Sequence, residues 1–143
     1  MKTEKRQKKW YCGVTDVALL AIALFMVIGL FTRFHACGVK EDGTWMSCHW
    51  AEQTLKCAAW MFFALTVIHL LFPQAQRKQG IDFGILTTLC LTVIIPGRLI
   101  SLCMMPDMAC RRLMQPFALV CGVLALALSL LDMFVQWKRG GDR

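Results

Sequence analysis

Charged residues are scarce in this sequence. They make up 17% of its 143 residues, whereas 57% are apolar and the mean hydropathy is +0.54. A soluble globular domain has roughly 25% charged and 45–50% apolar residues. The composition therefore predicts a membrane protein whose first partner is the lipid bilayer. The formal net charge of +7 does not indicate a nucleic-acid partner, because the basic residues cluster at the ends of apolar runs.

Motifs that carry catalysis are also lacking. The sequence contains no glycine-rich phosphate-binding loop, no nucleophile elbow and no HExxH helix. The acidic residues between the apolar runs are scattered and form no acid/base pair. We therefore expect a protein that is not an enzyme, needs no cofactor and cannot drive transport with ATP by itself.

Four stretches are apolar and nearly free of charge, and each has 17 to 20 residues. A helix that rises 1.5 Å per residue needs about that length to cross ~30 Å of hydrocarbon. Backbone groups inside a bilayer must be hydrogen-bonded within the segment, which favours helices. We predict an all-α integral membrane four-helix bundle in one domain, 1–143, with spans at 13–31, 55–72, 83–99 and 116–135, outer loops at 32–54 and 100–115, and a cytoplasmic linker at 73–82. No cleavage site of the signal-peptide type follows the first run, which is therefore expected to remain as a helix.

The distribution of basic residues predicts the orientation. With four spans, both termini lie on the same side as the linker, and that side carries ten of the sixteen Lys and Arg residues. They are Lys2, Lys5, Arg6, Lys8, Lys9, Arg77, Lys78, Lys138, Arg139 and Arg143. Because cytoplasmic segments are enriched in Lys and Arg, we expect both termini in the cytoplasm of a bacterial inner-membrane protein.

Three ionisable residues lie inside the predicted spans. Asp16 and Asp132 are near the cytoplasmic ends of the first and fourth spans, and His69 is in the second. Ionisable groups in a bilayer are costly unless they are paired or face an aqueous cavity. We interpret the two aspartates as pairing with nearby Lys or Arg or reaching the interface, with a helix or partner contact as the alternative. His69 is interpreted as a hydrogen-bonded packing residue.

The eight cysteines separate into two groups. Four lie in or beside the spans and are given no chemistry, and the other four lie in the two outer loops: Cys37, Cys48, Cys103 and Cys110. An even number of cysteines on the oxidising side predicts structural disulfides. Local pairs, 37 with 48 and 103 with 110, are favoured because Gly and Pro turns separate them, although other connectivities stay open.

Two chemical alternatives compete with disulfides. The outer-loop cysteines could instead be redox-active, or the loops could bind copper(I) through soft ligands. The candidate metal ligands are His35, Cys48, His49, Met104, Met105 and Met108. Their spacing is unspecific, because a structural zinc site shows paired ligands two to four residues apart in both halves.

Two outer segments carry a family resemblance. "CGVKEDGTWMSCHWAEQ" at 37–53 contains a Cys-His-Trp motif at 48–50, and "CMMPDMACRRLMQPF" at 103–117 contains Cys-x-x-Pro-x-x-x-Cys-Arg. They resemble a family of small, functionally uncharacterised bacterial four-span membrane proteins. The resemblance implies an accessory subunit of an ABC transporter, docked onto its permease. Candidate outer-loop or partner contacts are His49, Trp50, Pro106, Asp107 and Arg111.

A second resemblance is to the four-helix membrane thiol oxidases and related quinone- or vitamin-K-reducing enzymes, which also place cysteine pairs in two outer loops. Those enzymes use a Cys-x-x-Cys pair, which this sequence lacks. Pairs separated by ten and six residues suit structural bridges better than exchanging thiols. A membrane thiol-disulfide oxidoreductase is therefore the enzyme alternative.

Overall fold

The computed structural model is all-helical over the residues that it describes, which are 2–34, 38, 42–72, 75–102 and 108–140. Within these ranges, side chains are described except at 2–12, 75–79, 139 and 140. Four helices follow one another along the chain: α1 (Lys2–Thr32), α2 (Ser47–Leu71), α3 (Ala75–Ile94) and α4 (Gln115–Gly140). Each helix packs against the next, and α1 also packs against α4, so the four close into a bundle.

Three helical segments are long and apolar enough to cross a membrane. They are Gly13–Thr32, Ser47–Leu71 and Cys110–Lys138. The apolar part described in α3, Gly80–Ile94, is shorter. At 1.5 Å per residue it reaches about 22 Å, less than the ~30 Å of a bilayer core. Among the described residues, three helical segments are therefore of spanning length, and the third predicted span, 83–99, corresponds to the shorter apolar segment Gly80–Ile94.

A stripe of buried apolar residues on each helix forms the core. On α1 this stripe is Leu19, Ala23, Met26 and Leu30, whose three- and four-residue spacing keeps them on one face. Small buried residues on α4, such as Ala118 and Ala125, allow neighbouring helices to approach closely. The core thus runs along the bundle axis between all four helices.

A π-helical turn, Cys110–Met114, leads directly into α4. The Gln115 N–H donates to the Cys110 carbonyl, and the next residue, Pro116, has no N–H to continue the ladder. Proline also clashes with the preceding turn of a regular helix. The wider π turn is one of the adjustments by which a helix accommodates this.

The predicted disulfide-pinned loops are not supported by the structure. No disulfide joins any two of the described cysteines. Cys48 is the second residue of α2 and Cys110 is the first residue of the π-helical turn, and both are fully buried in the core. Both residues were predicted to lie in loops, because the predicted spans begin at residues 55 and 116. In the structure the helical segments begin earlier, at Ser47 and Cys110, and therefore include them. The other two cysteines of the predicted pairs, Cys37 and Cys103, lie outside the described residues.

The segment after α3 turns sharply at Gly97, which has a φ of +91°. Its N–H donates to the Ile100 carbonyl at 3.1 Å. A Cβ at this position would also lie 3.0 Å from Nε2 of Gln115. Glycine is therefore required here by both the backbone conformation and the close approach of α4.

We expect Gly97→Ala to lower the free energy of unfolding by about 1 kcal/mol, because an L residue pays that cost in a left-handed conformation. The measurement is thermal unfolding in mild detergent. Gly80→Ala is the matched control, since Gly80 is helical and a Cβ there meets nothing within 4 Å. Equal melting temperatures for Gly97→Ala and the unsubstituted protein would contradict the role given to Gly97.

Candidate functional site

The outer-loop residues predicted from sequence are only partly described. His49 is half-buried and stacks on Trp45, with ring centroids 4.0 Å apart, and Trp50 meets it edge-on at 5.8 Å. Arg111 is exposed on the π-helical turn, and Met108 packs against the core. The imidazole of His49 is therefore held by aromatic rings.

Most of the other outer-loop residues predicted to be ligands, disulfide cysteines or partner contacts lie outside the described part of the chain. The residues that lie outside the described part of the chain are His35, Cys37, Cys103, Met104, Met105, Pro106 and Asp107. Cys48 and Cys110 are described, and both are completely buried, whereas a thiol that takes part in exchange is partly exposed. The described residues therefore do not assemble the copper(I) site or the redox-active cysteine pair that the sequence suggested.

A different group of chemically active side chains lies between the helices at the end where α2 leads into α3. Each helix contributes one ionisable residue: Asp16 from α1, His69 from α2, Asp82 from α3 and Asp132 from α4. All four are buried, with exposed fractions between 2% and 8%. We refer to these four residues as the Asp–His cluster.

His69 is central in the Asp–His cluster and bridges three helices. Its Nδ1 lies 3.2 Å from Oδ1 of Asp16, and its Nε2 lies 2.8 Å from Oδ1 of Asp82. Both contacts are at ion-pair distance, but neither has the alignment of a hydrogen bond. The imidazole thus has a carboxylate at each ring nitrogen.

Asp132 is oriented by hydrogen bonds on both of its oxygens. The Thr15 hydroxyl donates to Oδ1 at 3.0 Å, and the Gln136 amide donates to Oδ2 at 2.7 Å. Donor atoms of Asp16, His69 and Asp132 all lie within 4.8 Å of one another. Helices α1, α2 and α4 therefore each bring one oxygen or nitrogen atom that could serve as a ligand into the same small region.

The charge in this group is large for a buried site. Three carboxylates and one imidazolium sum to a formal charge of −2, and a neutral imidazole makes it −3. Burying like charges is costly unless protons, cations or hydrogen bonds offset them. The Asp–His cluster is therefore chemically suited to binding a proton or a cation.

An open groove runs along α3 and α4 beside the Asp–His cluster. Its volume is about 780 Å³, and its walls are mostly apolar, with Phe83, Leu130, Phe134 and Trp137 among the lining residues. Its two polar lining residues are Asp82 and Gln136. Because Gln136 donates to Asp132, the groove reaches the Asp–His cluster from the side of the bundle.

The sequence contained a partial signal for this site. Ionisable residues inside apolar spans are functional candidates by default, and Asp16, His69 and Asp132 meet that criterion. The interpretation of His69 as a packing residue missed its two carboxylate neighbours. Asp82 was missed altogether, because it was placed in the cytoplasmic linker, whereas it lies in the third turn of α3.

Comparison with known proteins yields one match. A family model described as "Domain of unknown function (DUF4418)" matches residues 18–135. No curated protein and no solved structure matches the chain. The matched range includes His69, Asp82 and Asp132 and begins two residues after Asp16.

Proposed function

Because this chain belongs to the DUF4418 family, for which no function is assigned, we propose its role from its surface and its interior. We propose that it is a non-catalytic accessory subunit of the bacterial inner membrane, with both termini in the cytoplasm. In this role it docks onto a larger membrane partner, an ABC-transporter permease. The choice of a permease comes from the resemblance of its two cysteine-containing segments, and the orientation comes from its basic residues.

The observation that carries the membrane role is an inverted pattern of exposure. Large apolar side chains point outward on all four helices, including Phe25, Trp60, Phe83 and Leu131. Polar and ionisable side chains are buried between the helices instead, the Asp–His cluster among them. A soluble protein buries the first kind and exposes the second. A bilayer covers the apolar surface, and the bundle interior shields the polar groups.

The groove beside α3 supports docking of a partner on this side of the bundle. It lies beside α3, whose described apolar part is shorter than the spanning segments of the other three helices. An apolar transmembrane helix of the permease would fill the groove by packing against Phe83, Leu130 and Phe134. Helix association in a membrane depends on this kind of close packing.

Site-specific photo-crosslinking tests the proposal. A photoreactive phenylalanine analogue replaces Phe83 or Phe134 in the groove, and the chain is co-expressed with a candidate ABC-transporter permease. We expect covalent adducts with the permease from both positions, because a helix seated in the groove touches both side chains. The adducts are detected as a shifted band that contains both proteins.

Two outward positions on other helices serve as controls. Phe25 on α1 and Trp60 on α2 are similarly exposed, at 59% and 50%, but lie away from the groove. We expect no permease adduct from either. Adducts with lipid alone from all four positions would show that the groove is bilayer-facing and would overturn the docking proposal.

A further inference from the structure

We propose that the Asp–His cluster is a binding site for one divalent first-row transition-metal ion. In this site Asp16, His69 and Asp132 are the ligands and Asp82 positions the imidazole. The argument for this site does not rest on the docking role proposed above, although Asp82 and Gln136 also line the groove. It also differs from the copper site predicted from sequence, since it uses none of the outer-loop residues.

The separations of the donor atoms fit a metal site. Nδ1 of His69 and Oδ1 of Asp16 are 3.2 Å apart, and the donors of all three ligand residues lie within 4.8 Å of one another. Two ligands at about 2.0–2.1 Å from a tetrahedral metal are roughly 3.3 Å apart. Nδ1 of His69 and Oδ1 of Asp16 therefore already have the separation of two ligands of one ion. The other donors, within 4.8 Å, have to close by up to about 1.5 Å, and the remaining positions of the ion can hold water.

The surrounding contacts match those that orient metal ligands. A metal-bound histidine usually donates its other ring N–H to a carboxylate, and ligand carboxylates are themselves hydrogen-bonded. Here the second nitrogen of His69 faces Asp82 at 2.8 Å, while Thr15 and Gln136 donate to Asp132. Coordination at Nδ1 would place the proton on Nε2, where Asp82 can accept it after a small rotation of the ring.

Asp82 provides a second observation that favours a bound cation. The residue is only 5% exposed, and its Oδ2 is buried with no hydrogen-bond partner among the described residues. A buried carboxylate oxygen left without a donor is costly. A divalent ion bound at Nδ1 makes the N–H at Nε2 of His69 a stronger hydrogen-bond donor. The positive charge also attracts the Asp82 carboxylate, and both effects reduce the cost of burying it.

The chemical type of the ligands selects the class of ion. One imidazole nitrogen and two carboxylates suit divalent first-row ions: imidazole suits Zn²⁺ and Fe²⁺, and carboxylates suit Mn²⁺. Copper(I) prefers sulfur ligands, and none of the three proposed ligand residues has one. Ca²⁺ and Mg²⁺ prefer sites made entirely of oxygen, so the imidazole selects against them.

Metal analysis of the full-length protein in mild detergent tests the proposal, with Zn²⁺ and Mn²⁺ as probes. We expect about one ion per chain after equilibration and removal of excess metal. Asp16→Asn and Asp132→Asn are expected to abolish stoichiometric binding, and Asp82→Asn to weaken it by about 10- to 100-fold, as outer-shell changes do. Folding of each variant is checked by circular dichroism and gel filtration.

The matched control is Glu52→Gln, which alters another buried carboxylate. Glu52 lies in the first half of α2, far along the helix from His69, and forms an ion pair with Lys56. This variant should bind the ion like the unsubstituted protein. Failure of the folded unsubstituted protein to bind either probe, or unchanged binding by Asp16→Asn and Asp132→Asn, would overturn the proposal.

X-ray absorption of the metal-loaded unsubstituted protein tests the site even if a variant does not fold. We expect a first shell of only nitrogen and oxygen, with outer scattering from a single imidazole. Sulfur in the first shell would place the ion at a cysteine or methionine site and rule out the Asp–His cluster.

Discussion

His69→Ala is expected to lower the free energy of unfolding by about 3 kcal/mol or more, the largest effect of any single substitution considered. The imidazole separates the carboxylates of Asp16 and Asp82, at 3.2 and 2.8 Å. Its removal leaves two buried carboxylates facing an empty space, and breaking a buried ion pair by removing one member costs roughly 3–5 kcal/mol. Reversible unfolding in mixed detergent micelles, measured without added metal, gives the change directly.

His49→Ala provides the control for this experiment. His49 is half-buried and stacks on Trp45 near the start of α2, away from any described carboxylate contact. Losing this stacking is expected to cost about 1 kcal/mol. Equal losses for the two variants would show that the position of His69 between carboxylates contributes nothing beyond ordinary packing.

Gly29→Ala is expected to lower the free energy of unfolding by about 2 kcal/mol. A Cβ on Gly29 would lie 2.5 Å from Cζ of Phe117, which is inside van der Waals contact. The Phe117 ring cannot move away easily, because Phe34 stacks on it at 3.9 Å and Phe25 packs against it at 5.5 Å. Overpacking of this kind costs about 1–3 kcal/mol, which outweighs the gain in helix propensity.

Gly84→Ala separates the steric effect from the change of residue type. Gly84 is also helical, but a Cβ there would lie 3.6 Å from Leu65, at an ordinary contact distance. Alanine should therefore stabilise α3 by up to about 1 kcal/mol. The two alanine variants should differ in sign when thermal unfolding is compared in the same detergent, and a destabilised Gly84→Ala would show that the packing around Gly29 is not special.

The helical architecture was predictable because hydropathy is a local property of the chain. Long apolar runs predicted four helices, the structure has four among its described residues, and three of them have the length and composition to span a membrane. The boundaries were less predictable. The second helix begins at Ser47 rather than near residue 55, because Glu52 and Lys56 pair with each other one turn apart and so remain inside the helix.

The Asp–His cluster shows why a site was harder to predict than the helices. Asp16, His69 and Asp132 stood out as ionisable residues in apolar runs, but nothing local indicates which of them meet. Asp82 gave no signal, because it follows a polar segment and its burial depends on the packing of α3 against α2 and α4. Conversely, the cysteines and methionines of the outer loops formed a conspicuous pattern, yet Cys48 and Cys110 are buried core residues.

The sequence by itself determined that the chain is helical, that it suits a membrane, and that its charges lie mainly at the ends of apolar runs. These properties depend on the order of residues within short stretches of the chain. Only the tertiary structure decided which buried groups became neighbours. The antiparallel succession of helices brings Asp16 and Asp132, which are far apart in the sequence, to the same level of the bundle. Interactions between charges depend on distance in space, and that distance is set by how four helices pack.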